Sequence, residues 1–302
     1  MPTPVTFGNC TFDYPSAQLG ELVDSAPLRH DPAALRDRLA SDGYLLLRGL
    51  IPRDTVLAAR RAILDYMAEH EGLEPGSRPL DGVMGFQGKS VPLMGRRPIT
   101  HEPAVAAVLE GPELFAFYRD LFAQDVLTFD YKWLRAVGHE EFTGCHYDVV
   151  YMGRGTPNLL TCWVPLGDIP IDQGVLAICK GSHADPGFAR LRETYGRMDV
   201  DRDHVDGWFS KDPAEITARF GGQWLTGAFQ AGDILTFGMH TMHASTTNTT
   251  DRWRLSCDVR FQPAADPVDE RWVGVQPKGH YAWATDRARM VPMATAREQW
   301  GV

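Results

Sequence analysis

"VLTFDYKWLRAVGHEEFTGCHYDVVYMG", residues 126–153, is where the period of the chain changes. Upstream, apolar residues recur every three or four positions. From Val126 they alternate with polar ones, and Phe129, Tyr131 and Trp133 fall two apart. Period two is the mark of a half-buried strand. The segments "NLLTCWVPLGDI" (158–169), "GVLAICKGSH" (174–183), "GDILTFGMHTMHAS" (232–245) and "WRLSCDVRFQP" (253–263) are strand-like too, broken by Gly, Pro, Asn and Asp. Helices do not alternate with these strands, so parallel βαβ units are unfavoured. A mainly β chain with flanking α, built as an antiparallel barrel or sandwich, is expected.

Working outward, one interruption stands out. Residues 184–222 are highly charged and contain a capped helix, "DPAEITARFGG" (212–222). An insertion of that length beside a strand core reads as a lid. Residues 1–125 read as a mostly helical flank. Asp31-Pro32 supplies an N-cap and an N1 proline for "AALRDRLASDG" (33–43), "YLLLRGL" (44–50) is a short buried strand, and "DTVLAARRAILDYMAEHEG" (54–72) is an amphipathic helix. A Gly/Pro-rich loop (74–98) and two helices (103–124) follow. The core then spans 126–262, with 263–302 as a C-terminal extension of a single domain.

The bulk composition excludes several partners. A chain of 302 residues with 44% hydrophobic and 23% charged residues can bury a full core. Its net charge of −9 is dispersed, so no footprint for nucleic acid or an anionic membrane is expected. No apolar run is long enough to span a bilayer, and "MPTPVTFGNCTFDYPS" has neither the basic nor the apolar region of a signal peptide. Five cysteines without a CxxC leave an odd count, which fits reduced thiols and a cytoplasmic location. Oligomeric state is not legible.

Within "TGCHYDVVYMG" (143–153), His146 and Asp148 would share one face of a strand. Such a pair is either a buried ion pair or two-thirds of a metal site. His183, His240 and His243 are candidates for a third ligand, and two histidines with one carboxylate make the facial triad of non-haem Fe(II) oxygenases. Arg254 follows His243 by eleven residues on the next strand. Its planar fork suits a dicarboxylate, to which the Ser245 hydroxyl can add a donor.

Taken in order, His146-x-Asp148, "GVLAICKGSH", "GDILTF", His243-x-Ser245 and Arg254-x-Ser256 resemble the phytanoyl-CoA dioxygenase family, over roughly residues 35–262 with "DGYLLLRGLIP" as its entry segment. The resemblance implies a double-stranded β-helix (jelly-roll, cupin-like) core. It implies an Fe(II)- and 2-oxoglutarate-dependent dioxygenase that uses O2 to oxidise, most often hydroxylate, a C–H bond of a small molecule, with release of succinate and carbon dioxide. It assigns iron to His146, Asp148 and His243, and the distal carboxylate of 2-oxoglutarate to Arg254 with Ser245. Trp163, Thr161 and Tyr131 become cosubstrate-pocket candidates. Trp133, Tyr151, Met152, Lys89, Trp208 and Phe209 become substrate-wall candidates, and Arg96 and Arg97 lie in the same early loop as Lys89. Two departures, Lys180 where the family has proline and Gln173 before Gly174, are expected to bear on substrate class. His183 reads as a turn residue. Asp148 disfavours halogenation, because related halogenases carry a small residue there. The alternatives are a zinc or manganese hydrolase or isomerase on the same three ligands, and a non-catalytic small-molecule-binding barrel. A place in natural-product biosynthesis is suggested by the Ala/Arg-rich composition.

Overall fold

β12 (Arg254–Pro263) is the spine of the larger sheet. It pairs antiparallel with β7 (Leu160–Pro165) on one side and with β5 (Val126–Thr128) and β6 (Trp133–Val137) on the other. Beyond β7 lie β10 (Ile234–Gly238) and β4 (Tyr44–Leu47), completing six strands. β12 is buried on both faces, yet its composition is not uniform. Leu255, Cys257, Val259 and Phe261 enter one hydrophobic cluster, while Arg254, Ser256, Asp258 and Arg260 alternate with them. One side of the sheet is therefore an oily seat for helices, and the other carries charge inward.

The seat is filled by α1 (Pro32–Asp42), α2 (Arg53–Glu69), α3 (Pro103–Leu109) and α4 (Pro112–Phe122). α1 begins where its sequence says: the Asp31 side chain accepts from Ala34 N, Pro32 follows, and Gly43 closes the helix at φ 81°. Val56, Ala59, Ile63, Leu64 and Met67 form the buried stripe of α2.

A smaller sheet faces the larger one, in the order β11 (His243–Ser245), β8 (Leu176–Lys180), β9 (Gln223–Thr226), β3 (Leu19–Glu21). Leu46, Trp163, Leu235 and Phe237 of one sheet meet Leu176, Ile178 and Leu225 of the other. The result is a mainly β double-stranded β-helix with flanking helices, whose two sheets do not close into one continuous barrel. The computed structural model describes residues 2–85, 91–95, 97–281 and 290–302. No helix among them is long and apolar enough to cross a membrane.

Three expectations need correction. The first 125 residues are not simply helical. β1 (Thr3–Phe7) and β2 (Cys10–Tyr14) make a hairpin, β3 joins the smaller sheet parallel to β9, and β4 joins the larger one. The hairpin's apolar residues gain their burial far along the chain, with Phe7 5.0 Å from Trp224 ring to ring. The stretch 126–137 is split into β5 and β6 rather than running as one strand. Residues 143–153 are not a strand either. Cys145 and His146 make isolated bridges to Ser210 and His243, and α5 (Val149–Met152) then winds from Asp148. Val149 and Val150 are good strand formers, but the turn buries Val150 in the core and Met152 beside Trp133. Tertiary burial overrides local propensity here.

Residues 184–222 contain α6 (Ala189–Glu193), α7 (Val200–Asp203) and α8 (Pro213–Phe220). α8 is capped as its sequence indicates, with Asp212 accepting from Ala214 N and Glu215 N. These helices pack with the β1–β2 hairpin and with α9 (Met293–Trp300) in one cluster.

Candidate metal centre and substrate cavity

His146, Asp148 and His243 are buried, and one donor atom from each lies within 4.8 Å of the others. Each imidazole Nε2 is 3.7 Å from Asp148 Oδ1. Both Nδ1 atoms face backbone carbonyls, Gly144 O at 2.7 Å and Thr241 O at 3.0 Å. A carbonyl only accepts, so each Nδ1 carries a proton, and the neutral imidazole in this tautomer presents its Nε2 lone pair to the centre. Burial first, and then His243, push His146 down to about 3. Burial alone would raise Asp148. Arg260, the two imidazoles and Thr161 outweigh it and hold the carboxyl well below the ordinary range. Two neutral nitrogens and one anionic oxygen converging on a point are a donor set for a first-row divalent ion.

The carboxylate's second oxygen is fully engaged. Arg260 Nη2 donates to Asp148 Oδ2 at 3.1 Å, and the Thr161 hydroxyl donates to the same atom. Arg260 is itself fixed by Met152 Sδ, 3.0 Å from its Nε, and by the Trp133 ring, 4.6 Å from its Cζ. Only Oδ1 remains to face the histidines.

Arg254 is buried on the same strand face. Its Nε donates to Gly174 O at 3.0 Å, and Nη1 to the Ser256 hydroxyl. Trp163 lies 5.9 Å from its Cζ. Among the described residues no carboxylate lies within ion-pair distance of it. Burial, followed by the neighbouring Arg135, pushes its pKa down to about 10. A buried guanidinium without an acid is a costly arrangement unless an anion joins it. A dicarboxylate cosubstrate fits that requirement.

A cavity of about 1410 Å³ opens beside His146 and Asp148. Tyr131, Trp133, Tyr151 and Trp208 line it, with Arg135 and Arg260 on the sheet side. The C-terminal extension supplies another wall, from His280 and from Met293 and Arg297 of α9. Arg297 clasps α8 through Glu215, with Nη1 3.2 Å from Oε2. Burial works to raise Glu215, but Arg297, Ser210 and Arg219 outweigh it and bring it down to about 2. A depressed carboxylate stabilises the fold above its unfolded value and loses that contribution as pH falls. Protection of the α9 amides, taken against the intrinsic exchange rate at each pH, should therefore fall as pH drops from about 4.5 toward about 2. Glu215→Gln should show faster exchange already at neutral pH and no further acid step. Equal exchange in the two proteins across that window would remove the clasp from the account.

The expected site residues distribute as follows. The three ligand candidates meet. Ser245 accepts from Thr143 N at 2.8 Å, which leaves its hydroxyl proton to be donated elsewhere. Thr161, expected in the cosubstrate pocket, donates its hydroxyl to Asp148 Oδ2. Tyr131 stands on the cavity wall beside Trp133, 4.7 Å ring to ring, and packs on Trp272 at 5.2 Å. Tyr151 lies 5.6 Å from the His146 ring. Phe209 is buried against Tyr195 and Phe220 and still contributes to the cavity wall. Lys89 and Arg96 lie outside the described residues, and Arg97 is exposed with its Nε on Met94 O. His240 faces Tyr147 rather than the centre, and His183 bonds Ala40 O at 2.9 Å. Lys180 pairs with Asp42 and Gln173 bonds Trp253 O, so these two departures serve the scaffold and do not line the cavity. Arg135 and Arg260 were not anticipated.

The profile of the phytanoyl-CoA dioxygenase family matches residues 39–256. The chain belongs to the phytanoyl-CoA dioxygenase family. It is an Fe(II)- and 2-oxoglutarate-dependent dioxygenase. Similar curated proteins include two 1-deoxypentalenic acid 11-beta-hydroxylases. That of Streptomyces exfoliatus is 27% identical over 262 residues, covering 82% of this chain and 87% of the relative. That of Streptomyces arenae is 24% identical over 256 residues, covering 81% and 86%. Among solved structures, the epimerase SnoN in complex with Fe3+, alpha ketoglutarate and nogalamycin RO has TM-score 0.55 and 21% identity over 85% of this chain and 98% of its own. EctD from S. alaskensis with 2-oxoglutarate and 5-hydroxyectoine has TM-score 0.55 and 18% identity, covering 90% and 91%. At such identities the structures speak to the fold.

Proposed function

We propose that this dioxygenase hydroxylates an unactivated C–H bond of a bulky small molecule in natural-product biosynthesis, with the whole chain working as one catalytic unit. His146, Asp148 and His243 hold the iron, and Arg254 holds the distal carboxylate of 2-oxoglutarate, assisted by Ser245 and Ser256. The observation that carries this reading is Arg254, a buried cation without an acid partner among the described residues, on the strand face that also presents Arg260 to Asp148. The names of the relatives, hydroxylases of 1-deoxypentalenic acid, support the reaction type. The bound iron with 2-oxoglutarate and dioxygen supplies the oxidising power, released with succinate and carbon dioxide.

The protein's own residues do the rest. The Nδ1–H bonds to Gly144 O and Thr241 O fix the imidazole planes. Arg260 and Thr161 select which Asp148 oxygen faces inward. Tyr131, Trp133 and Trp208 hold a substrate by its apolar surface and keep water away from the reacting carbon. Residues 206–211 of the insertion, with His280, Met293 and Arg297 of the C-terminal extension, wall the cavity. Five free cysteines, four of them buried, fit a reducing, cytoplasmic setting.

The test is anaerobic titration of the apo-protein with Fe(II) and then 2-oxoglutarate, followed in the visible for the metal-to-cosubstrate charge-transfer band. The band should develop to saturation, and 1-deoxypentalenic acid should then be tried under air for oxygenated product and succinate. Retained zinc with no spectral response to 2-oxoglutarate would favour the hydrolase alternative instead.

A further inference from the structure

Arg135 has donors to spare beside the centre. On β6 it stands opposite Ser256 in the antiparallel register, so it shares a sheet face with Arg254, Asp258 and Arg260. Its Nε donates to Asp258 Oδ2 at 3.0 Å. Among the described residues neither terminal nitrogen has a hydrogen-bond partner. The side chain is 30% exposed, and it lines the cavity together with His146 and Asp148.

The other cations of that cavity differ. Arg260 gives Nη2 to Asp148 and has only its buried Nη1 left over, Arg297 is engaged by Glu215, and Lys278 by Glu270 at 3.3 Å. Lys211 is exposed, without the backing of a sheet. Burial opposes the charge on Arg135, but Asp258 more than offsets it, so the guanidinium stays protonated. A held, planar guanidinium with both terminal nitrogens open matches a carboxylate, two parallel charge-assisted bonds at a time. Around it the wall is aromatic, with Tyr131, Trp133, Tyr151 and Trp208. At about 1410 Å³ the space exceeds what a small polar metabolite fills.

We propose that Arg135 is the substrate-recognition residue, and that the substrate is a bulky, largely apolar molecule carrying a carboxylate that docks on its two terminal nitrogens. The inference rests on the iron and 2-oxoglutarate reading of the neighbouring site. 2-Oxoglutarate does not account for Arg135 as well: its distal carboxylate has Arg254, which does not line this cavity, and its other end belongs at the metal.

The experiment uses the anaerobic Fe(II)–2-oxoglutarate complex of the full chain. Adamantane-1-carboxylate, a decalin carboxylate and dehydroabietate are each titrated beside their methyl esters, with perturbation of the visible band as the readout. At least one acid should bind roughly 10- to 100-fold more tightly than its ester, the worth of hydrogen bonds to a charged group. Arg135→Gln should abolish that preference while the 2-oxoglutarate titration stays as in wild type, which also shows the variant to be folded. Arg135→Lys should restore part of the preference. The proposal is overturned if no acid perturbs the band or if esters bind as well as acids. It is equally overturned if Arg135→Gln weakens 2-oxoglutarate and keeps the acid preference, because Arg135 then belongs to the cosubstrate. Absence of any band before a probe is added is a different result, and refutes the underlying metal and cosubstrate reading.

Discussion

Arg254→Met is expected to lose 2-oxoglutarate binding while the apo-protein melts no lower than wild type. The two effects have opposite origins. Removing the side chain deletes its bonds to Gly174 O and to the Ser256 hydroxyl, at a cost of about 1–3 kcal/mol for the groups left behind. It also removes a buried charge that has no carboxylate partner among the described residues, which offsets several kcal/mol of desolvation. Methionine fills much of the same volume beside Trp163. Cosubstrate binding has no such compensation. Loss of a buried charge-pair partner costs about 2–5 kcal/mol, roughly 30- to several-thousand-fold in affinity. The measurement is thermal unfolding with and without 2-oxoglutarate in the presence of Fe(II) under anaerobic conditions. Wild type should melt higher with the cosubstrate, and Arg254→Met should not respond. A variant that melts well below wild type yet keeps its response would show that Arg254 serves the scaffold alone.

How much of this was legible in the chain depends on whether local pattern or distant contact decides each element. α1 announces itself because Asp31, Pro32 and Gly43 act on their immediate neighbours. The strands of the core are legible because alternation survives burial. β3 is not, since three residues become a strand only when Trp224, Leu225 and Thr226 are laid beside them. The ligand pair His146 and Asp148 was found through a wrong intermediate. Strand alternation would put both side chains on one face, whereas a bend into α5 brings them together. Spacing alone survives either geometry. Arg260 was within reach of strand alternation starting from Arg254 and Ser256, because it lies on their face of β12 two positions beyond Asp258. The C-terminal wall had no such signal. Nothing in the local sequence near His280 says that its Nδ1 will bond Asp201, 2.9 Å away and 79 positions earlier in the chain.

The residue that alternation could have found carries the second large effect. Arg260→Met should weaken Fe(II) binding by about 10- to 100-fold, the range seen when an outer partner of a metal ligand is lost. Asp148 Oδ2 is where the effect originates. With Arg260 Nη2 at 3.1 Å and the Thr161 hydroxyl both donating to it, Oδ2 is neutralised and immobile, and Oδ1 is left 3.7 Å from each histidine nitrogen. Without the guanidinium the carboxylate can rotate and share its charge between both oxygens, so ion binding must first order it. Thr161→Val removes a neutral donor from the same atom and should cost several-fold, less than Arg260→Met. Arg260→Lys keeps the charge but not the planar fork that also reaches Met152 and stacks on Trp133, so it should fall between wild type and methionine. Competition against a chromophoric chelator measures all three without requiring a substrate. Unchanged Fe(II) affinity in Arg260→Met, with the protein folded, would mean that the histidines alone set the site and that the pair with Asp148 only fills the space beneath Trp133.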